Sequence, residues 1–324
     1  MITVLFATRD RSESVDRMLQ SLLALTPPDG GWKLVVVDNG SRDDTLAVLE
    51  RYAGTLPLTV LSEPAAGKNR ALNRAIAHLE GDLTVLTDDD IIPEPDWLVQ
   101  LQRAAASHPA ASVFAGTVMP LWPGRLPAYL SERAVNYSIL YAQNEQPTGA
   151  CKPATVFGPN MAVRTAVFRN GFSFSEDVGP NNAQRAYVMG GETDFAAKLH
   201  DAGHQAWFVA ESRVGHMVRP DQLTESWILR RYYLYGLHAG HHGEMPKWRA
   251  LPRRVVWLAC AAVARVLPPS PLRLRALSRD RFYAGMFCRR SPAGSHPAGK
   301  PAWFRRSGRG LVPDGSSSGR ATHG

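Results

Sequence analysis

The sequence predicts an α/β fold: a mostly parallel central sheet flanked by helices, with a helical extension toward the C-terminal end. Three observations predict it. Short apolar runs alternate with amphipathic stretches from Ile2 to Thr87, as repeated βαβ units do. Polar clusters directly follow the first, second and fourth of those runs, where a parallel sheet gathers its ligands. From Pro246 onward the strand pattern gives way to Arg-studded helix.

Taken in order, Ile2–Ala7 is a short apolar run suited to a buried strand. Ser12–Leu25 then carries Val15, Met18, Leu19, Leu22 and Leu23 at helical spacing. Pro27–Gly31 breaks that helix, and Lys33–Val37 forms a second strand. Asp38-Asn39-Gly40-Ser41 turns the chain, and Asp43 and Asp44 open a helix that ends near Tyr52. Leu58–Ser62 is a third strand, Lys68–Leu79 a third helix and Leu83–Thr87 a fourth strand.

The second half is less regular. Ser112–Met119 reads as a strand, Pro127–Tyr141 as an aromatic-bearing helix and Gly158–Val163 as a strand segment. Glu192–Ala202 is helical, Gln205–Val209 a short strand and Thr224–Tyr235 an amphipathic helix. Helix resumes after Pro246, with breaks at Pro268, Pro269 and Pro271. After Ser291 the Gly, Ser, Pro and Arg composition cannot bury a core. The expected organisation is a sheet domain over 1–240, a basic helical extension over 241–290 and a disordered tail over 291–324.

Composition fits this layout. At 324 residues, 44% hydrophobic and 20% charged, the chain can bury one large core. The net charge of +8 is unevenly placed. Residues 1–245 hold 21 Lys and Arg against 27 Asp and Glu, a balance of −6. Residues 246–324 hold 16 against 2, a balance of +14, which favours an anionic partner. The three scattered cysteines form no disulfide framework and fit a reducing compartment. The start, MITVLFATRD, shows no basic and apolar leader pattern. Val255–Leu267 is too short to span a bilayer and carries Arg265. A cytoplasmic protein is expected, with a peripheral seat on the cytoplasmic face of the membrane left open.

The sharpest chemical signal is Asp88-Asp89-Asp90 at a strand end. Three adjacent carboxylates repel one another unless a cation compensates. A divalent cation with oxygen ligands, Mn2+ or Mg2+, does so and can bridge nucleotide phosphates. Asp88 and Asp90 point to one side of an extended segment and Asp89 to the other. An exposed acidic turn before Pro93 is the plainer alternative.

Four further clusters qualify. Asp38, ending an apolar strand, can accept hydrogen bonds from a base or ribose, or simply shape a capping turn. Lys68, Asn69, Arg70 and Asn73 open a helix whose N-terminus suits phosphate, or faces solvent. Gly190-Gly191-Glu192-Thr193-Asp194 puts two carboxylates at a helix start, either as a proton acceptor or as charges that stabilise the N-terminus. His216 stands alone, and His238, His241 and His242 read as a loop without suitably spaced ligand partners.

Together and in this order the motifs resemble the inverting, nucleotide-sugar-dependent family 2 glycosyltransferases of GT-A fold. The resemblance covers residues 1–240. Its carriers are Thr8-Arg9-Asp10-Arg11, Val36-Val37-Asp38-Asn39-Gly40-Ser41, Gly67-Lys68 with Asn73, Asp88-Asp89-Asp90, Gly158-Pro159-Asn160 and Gly191-Glu192-Thr193-Asp194-Phe195. His216, Trp227, Arg230, Arg231 and Gly236 complete the series.

The resemblance implies that Asp38 holds the donor base, Asp88 contacts the donor nucleoside, and Asp90 and His216 bind the metal. Thr8, Arg9, Asn39, Lys68, Asn73 and Asp89 fall in the implied nucleotide-sugar site, with a UDP-sugar the favoured donor. Glu192 would be the general base in a direct displacement. Two departures stand out. Gly191-Glu192 replaces the usual Glu-Asp pair, which leaves Asp194 open as the base, and Asp10 stands where Asn is common. The implied acceptor is a hydroxyl on a glycan, a lipid-linked sugar or a small molecule. Arg249, Arg253 and Arg254 before Val255–Val263 suggest an anionic membrane surface as a partner.

The competing expectations are a nucleotidyltransferase, whose Gly-rich loop is missing at Thr8-Arg9-Asp10-Arg11-Ser12, and a non-catalytic nucleotide-sugar binder. A nucleic-acid-binding protein is disfavoured, because the basic tail lacks aromatic interleaving.

Overall fold

A computed structural model of the chain describes residues 1–181 and 186–288. The expected disordered tail over 291–324 lies outside the described residues. The first part alternates as β1 (Ile2–Thr8), α1 (Ser12–Leu22), β2 (Trp32–Asp38), α2 (Thr45–Tyr52), β3 (Leu58–Ser62), α3 (Lys68–Ala75) and β4 (Leu83–Leu86). It continues through β5 (Ile91–Pro93), α4 (Trp97–Ser107), β6 (Ala111–Leu121), α5 (Tyr137–Tyr141), β7 (Gly149–Cys151), β8 (Met161–Arg164) and α6 (Thr165–Arg169). The last elements are α7 (Gly191–Asp201), β9 (Gln205–Met217), α8 (Glu225–His241), α9 (Lys247–Ala264) and α10 (Pro271–Met286).

These strands form one sheet in the order β3-β2-β1-β4-β8-β6-β9-β5, with β7 also paired to β9. The expected parallel sheet is the run β3-β2-β1-β4. Beyond it β8 is antiparallel to both β4 and β6, while β6 and β9 are parallel. Helices cover both faces, which is why the β1 and β2 runs are apolar at consecutive positions. Alternate side chains go to opposite cores. Val4 and Phe6 join Val15, Met18, Leu19 and Trp97 on one face. Leu5 and Val35 join Leu72, Phe168, Phe174 and Phe195 on the other.

α4 is not expected from the sequence, and the expected strand at Gly158–Val163 starts only at Met161. Three further elements also depart from the sequence reading. Helix is present only at Tyr137–Tyr141 of the expected Pro127–Tyr141. Asn136 is extended and its side chain accepts from Ser138 N–H, which starts a new helix there. The second departure is β9, which runs on to Met217 alongside β6 through a register shift at Gly116 and Thr117. The third is the histidine cluster, which does not form a loop: α8 continues through His241. Gly236 is there for close packing, since a Cβ on it would meet the Phe282 carbonyl oxygen of α10 at 2.0 Å.

α10 packs against both α8 and α9, so the C-terminal helices form a layered group. Leu274 joins Tyr232 and Ile228 in one core, while Trp257 and Leu277 join Ala261 and Ala264 in another.

Candidate active site

β1 pairs in parallel with both β2 and β4, so their carboxyl ends share one rim. The register sets Thr8 opposite Asp38. Past β4, the Thr87 N–H donates to Leu5 O at 3.1 Å, and its hydroxyl donates to Pro159 O at 2.8 Å. The three aspartates that follow therefore start from an anchored point.

Asp89 faces β1, where the Thr8 hydroxyl donates to its Oδ2 at 2.7 Å. Asp88 and Asp90 turn from β1 toward Lys68 and His216. β5 pairs Ile91 with His216, and the Met217 N–H donates to Asp90 O at 2.7 Å. The extra length of β9 thereby brings His216 Nε2 to 3.1 Å from Asp90 Oδ1. Its other nitrogen, Nδ1, lies 2.9 Å from the Tyr141 carbonyl, which can only accept. That contact places a proton on Nδ1 and aims Nε2 at the carboxylates.

One ligand atom from each of Asp88, Asp90 and His216 falls within 4.8 Å of the other two. Two carboxylate oxygens and an imidazole nitrogen, converging from one partly buried and two buried side chains, fit a divalent cation. The charges agree. Burial pushes Asp89 up to about 6, and the neighbouring Asp90 charge adds to this. Burial acts in the same direction on Asp90, but the facing His216 outweighs it and lowers Asp90 to about 2. Against burial, Asp90 raises His216 to about 9.

Lys68 enters from the start of α3. Gly67, at φ 140°, donates its N–H to Asn39 Oδ1 at 2.9 Å. The Asn39 amide in turn donates to Glu63 O at 2.6 Å and Ala65 O at 2.7 Å. Asn39 is thus spent on shaping the loop before α3. The Lys68 ammonium contacts Asp88 and lies 2.5 Å from Glu192 Oε1. Burial alone disfavours that ammonium, yet Asp88 and Glu192 outweigh it and hold Lys68 above its ordinary pKa.

Glu192 is the second residue of α7, reached through Gly190 at φ 82°. Gly158 makes room for it: a Cβ there would lie 2.6 Å from Glu192 Oε1. Burial tends to raise the Glu192 pKa, and Lys68 overrides this and lowers it. Asp194 looks elsewhere. It accepts from Ser175 Oγ at 2.7 Å and pairs with Lys198 at 3.2 Å. Of the two carboxylates in the first turn of α7, Glu192 is the one brought to Asp88 through Lys68.

The remaining expected residues occupy the rim. The buried Asp38 carboxylate accepts from the Gly40 and Ser41 N–H groups at 3.2 Å. Arg9 Nε lies 3.6 Å from Asp10. The unusual Asp10 ties two rim loops together by accepting from the Arg42 N–H at 2.7 Å. Asn73 is not part of the cluster: its amide makes two 2.9 Å bonds to the Phe174 backbone, fastening α3 to the segment after α6.

Three cations beside the carboxylates went unassigned in the sequence. Arg11 lowers both Asp89 and Asp90 by its charge, and Arg231 acts the same way on Glu192. Arg219 Nη1 lies 3.9 Å from Asp90 Oδ2. The available signal for Arg219 was its place three residues after His216. His238, expected in a loop without partners, has Nδ1 2.6 Å from Met189 O and Nε2 3.3 Å from Glu244.

Comparison with known proteins supplies the family and the fold. The succinoglycan biosynthesis protein ExoM of Rhizobium meliloti is 24% identical over 282 residues, 84% of this chain and 85% of that protein. A glucosyl-dolichyl phosphate glucuronosyltransferase of Haloferax volcanii is 22% identical over 240 residues, 72% of this chain and 74% of that one. Among solved structures, the Pyrobaculum calidifontis mannosyltransferase PcManGT with GDP-Man and Mn2+ superposes with a TM-score of 0.54 at 20% identity, covering 87% of this chain and 69% of that one. S. aureus TarS 1-349 with UDP-GlcNAc gives 0.55 at 15% identity, covering 88% and 90%. The shared fold is that of the GT-A glycosyltransferases. Residues 3–172, more than half of the chain, match the family described as Glycosyl transferase family 2, and the protein belongs to that family.

Proposed function

We propose that this glycosyltransferase uses a nucleoside diphosphate sugar and a divalent cation, with Glu192 as general base. The carrying observation is the convergence of Asp88, Asp90 and His216 within 4.8 Å, joined to Glu192 through Lys68. Asp38, Thr8 and Arg9 stand on the rim as the nucleoside side of the donor site, and Asp88, Asp89 and Asp90 as its phosphate side. Asp90, His216 and Asp88 would hold a divalent cation, which when bound would supply charge stabilisation to the departing diphosphate.

The chain's own residues do the rest. Glu192 takes the proton of the acceptor hydroxyl while that oxygen bonds to the anomeric carbon. The bond from that carbon to the diphosphate oxygen breaks, its electron pair leaves with the nucleoside diphosphate, and the configuration inverts. Lys68, Arg11 and Arg219 face the developing negative charge. Donor phosphate draws Lys68 away from Glu192, which leaves the carboxylate free to accept a proton. Asp194, occupied by Ser175 and Lys198, is the second choice of base.

The names of the two curated relatives support a glycan or polyprenyl-linked acceptor in polysaccharide or cell-envelope glycan synthesis. Complexes with UDP-GlcNAc and GDP-Man in the neighbouring structures support a nucleotide-sugar donor, and Asp38 would accept a hydrogen bond from its base.

Calorimetric titration with UDP, GDP and dTDP, each with and without Mn2+, tests the reading. Metal-dependent binding of one nucleotide that disappears in Asp90→Ala is expected. Metal-independent binding of equal strength in wild type and Asp90→Ala would overturn the donor-site assignment.

A further inference from the structure

α9 carries its apolar residues on the wrong side for a helix that merely packs on a protein. Its inner face is Ala250, Trp257, Ala261 and Ala264, set against α8 and α10. Its outer face is apolar as well. Trp248, Leu251, Val255, Leu258, Val263 and, just past the helix, Val266 are exposed, Trp248 by 69% and Val266 by 85%. Steps of three and four residues set Trp248, Leu251, Val255 and Leu258 on one stripe. No charged residue falls on it. At 3.6 residues per turn Lys247 falls to one side of the apolar face and Arg249 and Arg253 to the other, while Arg265 turns to α10, 3.4 Å from Asp280 Oδ2. Arg249 lies over the Trp248 ring, 4.8 Å from its centroid, and Arg254 turns inward onto Phe287.

We propose that this face of α9 docks on an anionic lipid surface. The stripe would lie at the headgroup–acyl boundary, and the marginal Lys and Arg would reach headgroup phosphates. The charge selects this occupant. In a two-fold pairing of copies the basic margins would face one another. Residues 289–324 hold seven Lys and Arg against one Asp, so covering α9 with that segment would also juxtapose like charges. A nucleic acid would neutralise the margins and leave the stripe in water. Among the described residues no helix is long and apolar enough to cross a membrane, so α9 lies on the surface rather than through it. The inference rests on α9 alone and stands apart from the donor chemistry. Its consequence for that chemistry runs through α10, which packs on both α9 and α8; α8 carries Arg231 beside Glu192 and His238 on Met189.

Flotation of the full chain with vesicles tests it. Binding to equimolar phosphatidylglycerol and phosphatidylcholine is expected, with little binding to phosphatidylcholine alone and release as salt rises. The double variant Val255→Asp, Leu258→Asp alters only exposed positions and should lower binding by roughly tenfold or more with an unchanged circular dichroism spectrum. Arg249→Gln with Arg253→Gln should weaken binding and flatten its salt dependence. Wild-type binding by the Asp double variant would overturn the proposal. So would a dimer in light scattering that the double variant dissociates, which would assign the face to a second copy. Binding that survives in the double variant but vanishes when residues 289–324 are removed would assign it to that segment. Each readout is binding rather than sugar transfer, so failure here leaves the proposed reaction standing.

Discussion

Lys68 and Glu192 meet at 2.5 Å, although one opens α3 and the other opens α7. The same ammonium contacts Asp88, so one cation joins the carboxylate after β4 to the carboxylate proposed as base. Before donor arrives, this arrangement sets one cation between two partly buried carboxylates.

Replacing Lys68 tests how much that bridge holds. In Lys68→Met the two carboxylates face one another without a cation, and stability should fall by about 3 kcal/mol near pH 7. The sign follows from Glu192, whose folded pKa lies below its ordinary 4.5. Such a group contributes stability that is present above 4.5 and lost as pH falls through the lowered value. Urea denaturation should therefore show a gap between wild type and variant at pH 7 that narrows below pH 4.5. A gap of constant size would mean the loss is one of packing.

The choice between the two α7 carboxylates has a kinetic signature. Glu192→Gln should lower single-turnover transfer by about 1,000-fold, within the range for a lost general base, while nucleotide affinity changes little. Asp194→Asn loses a bond to Ser175 but nothing at Asp88, and should retain transfer within about tenfold. The reverse ranking would move the base to Asp194.

The sequence makes some of this plain and hides the rest for physical reasons. Strands β1, β2 and β4 are buried on both faces, so they appear as unbroken apolar runs, and the Asp88-Asp89-Asp90 cluster that follows is contiguous. His216 is another matter. It meets Asp90 only because β9 extends past Glu211, Ser212 and Arg213, polar residues that mask the strand. Asn73 lies in a helix whose start suits phosphate, but in its second turn, and its partner is the Phe174 backbone, 101 residues away. Gly236 looks like a helix breaker, and its reason is the Phe282 carbonyl of another helix. In each case the missing information is a long-range partner.

Metal binding should be strongly pH-dependent. With His216 raised to about 9, a metal ion must displace a proton from Nε2 over most of the neutral range. Mn2+ affinity should rise about tenfold per pH unit up to that point, because one proton leaves per metal bound. Without metal the trend reverses. The raised histidine contributes stability that is fully present below its ordinary 6.5 and lost as pH passes about 9. Melting temperatures at pH 6.5 and pH 9, with and without Mn2+, should cross in this way. His216→Gln should abolish both trends.

Gly158→Ala separates geometry from stability at the proposed base. The added Cβ would sit 2.6 Å from Glu192 Oε1 and 2.7 Å from its Cδ, well inside van der Waals contact. Gly158 is absent from the positive-φ positions, so alanine needs no unusual backbone there. The atoms that must yield are the far end of a side chain, which can rotate away. The fold should therefore lose less than about 1 kcal/mol. The carboxylate, however, would move by an ångström or so from Lys68 and from the acceptor. A displacement of that size costs roughly 100-fold in rate when positioning carries the step. Transfer should fall by that factor with nucleotide and metal affinities preserved. The double variant Gly158→Ala, Glu192→Gln should be no slower than Glu192→Gln alone, since both changes remove the same positioned proton acceptor. Additive losses would show that Gly158 acts through the backbone near Thr87 and Asn160 rather than through Glu192.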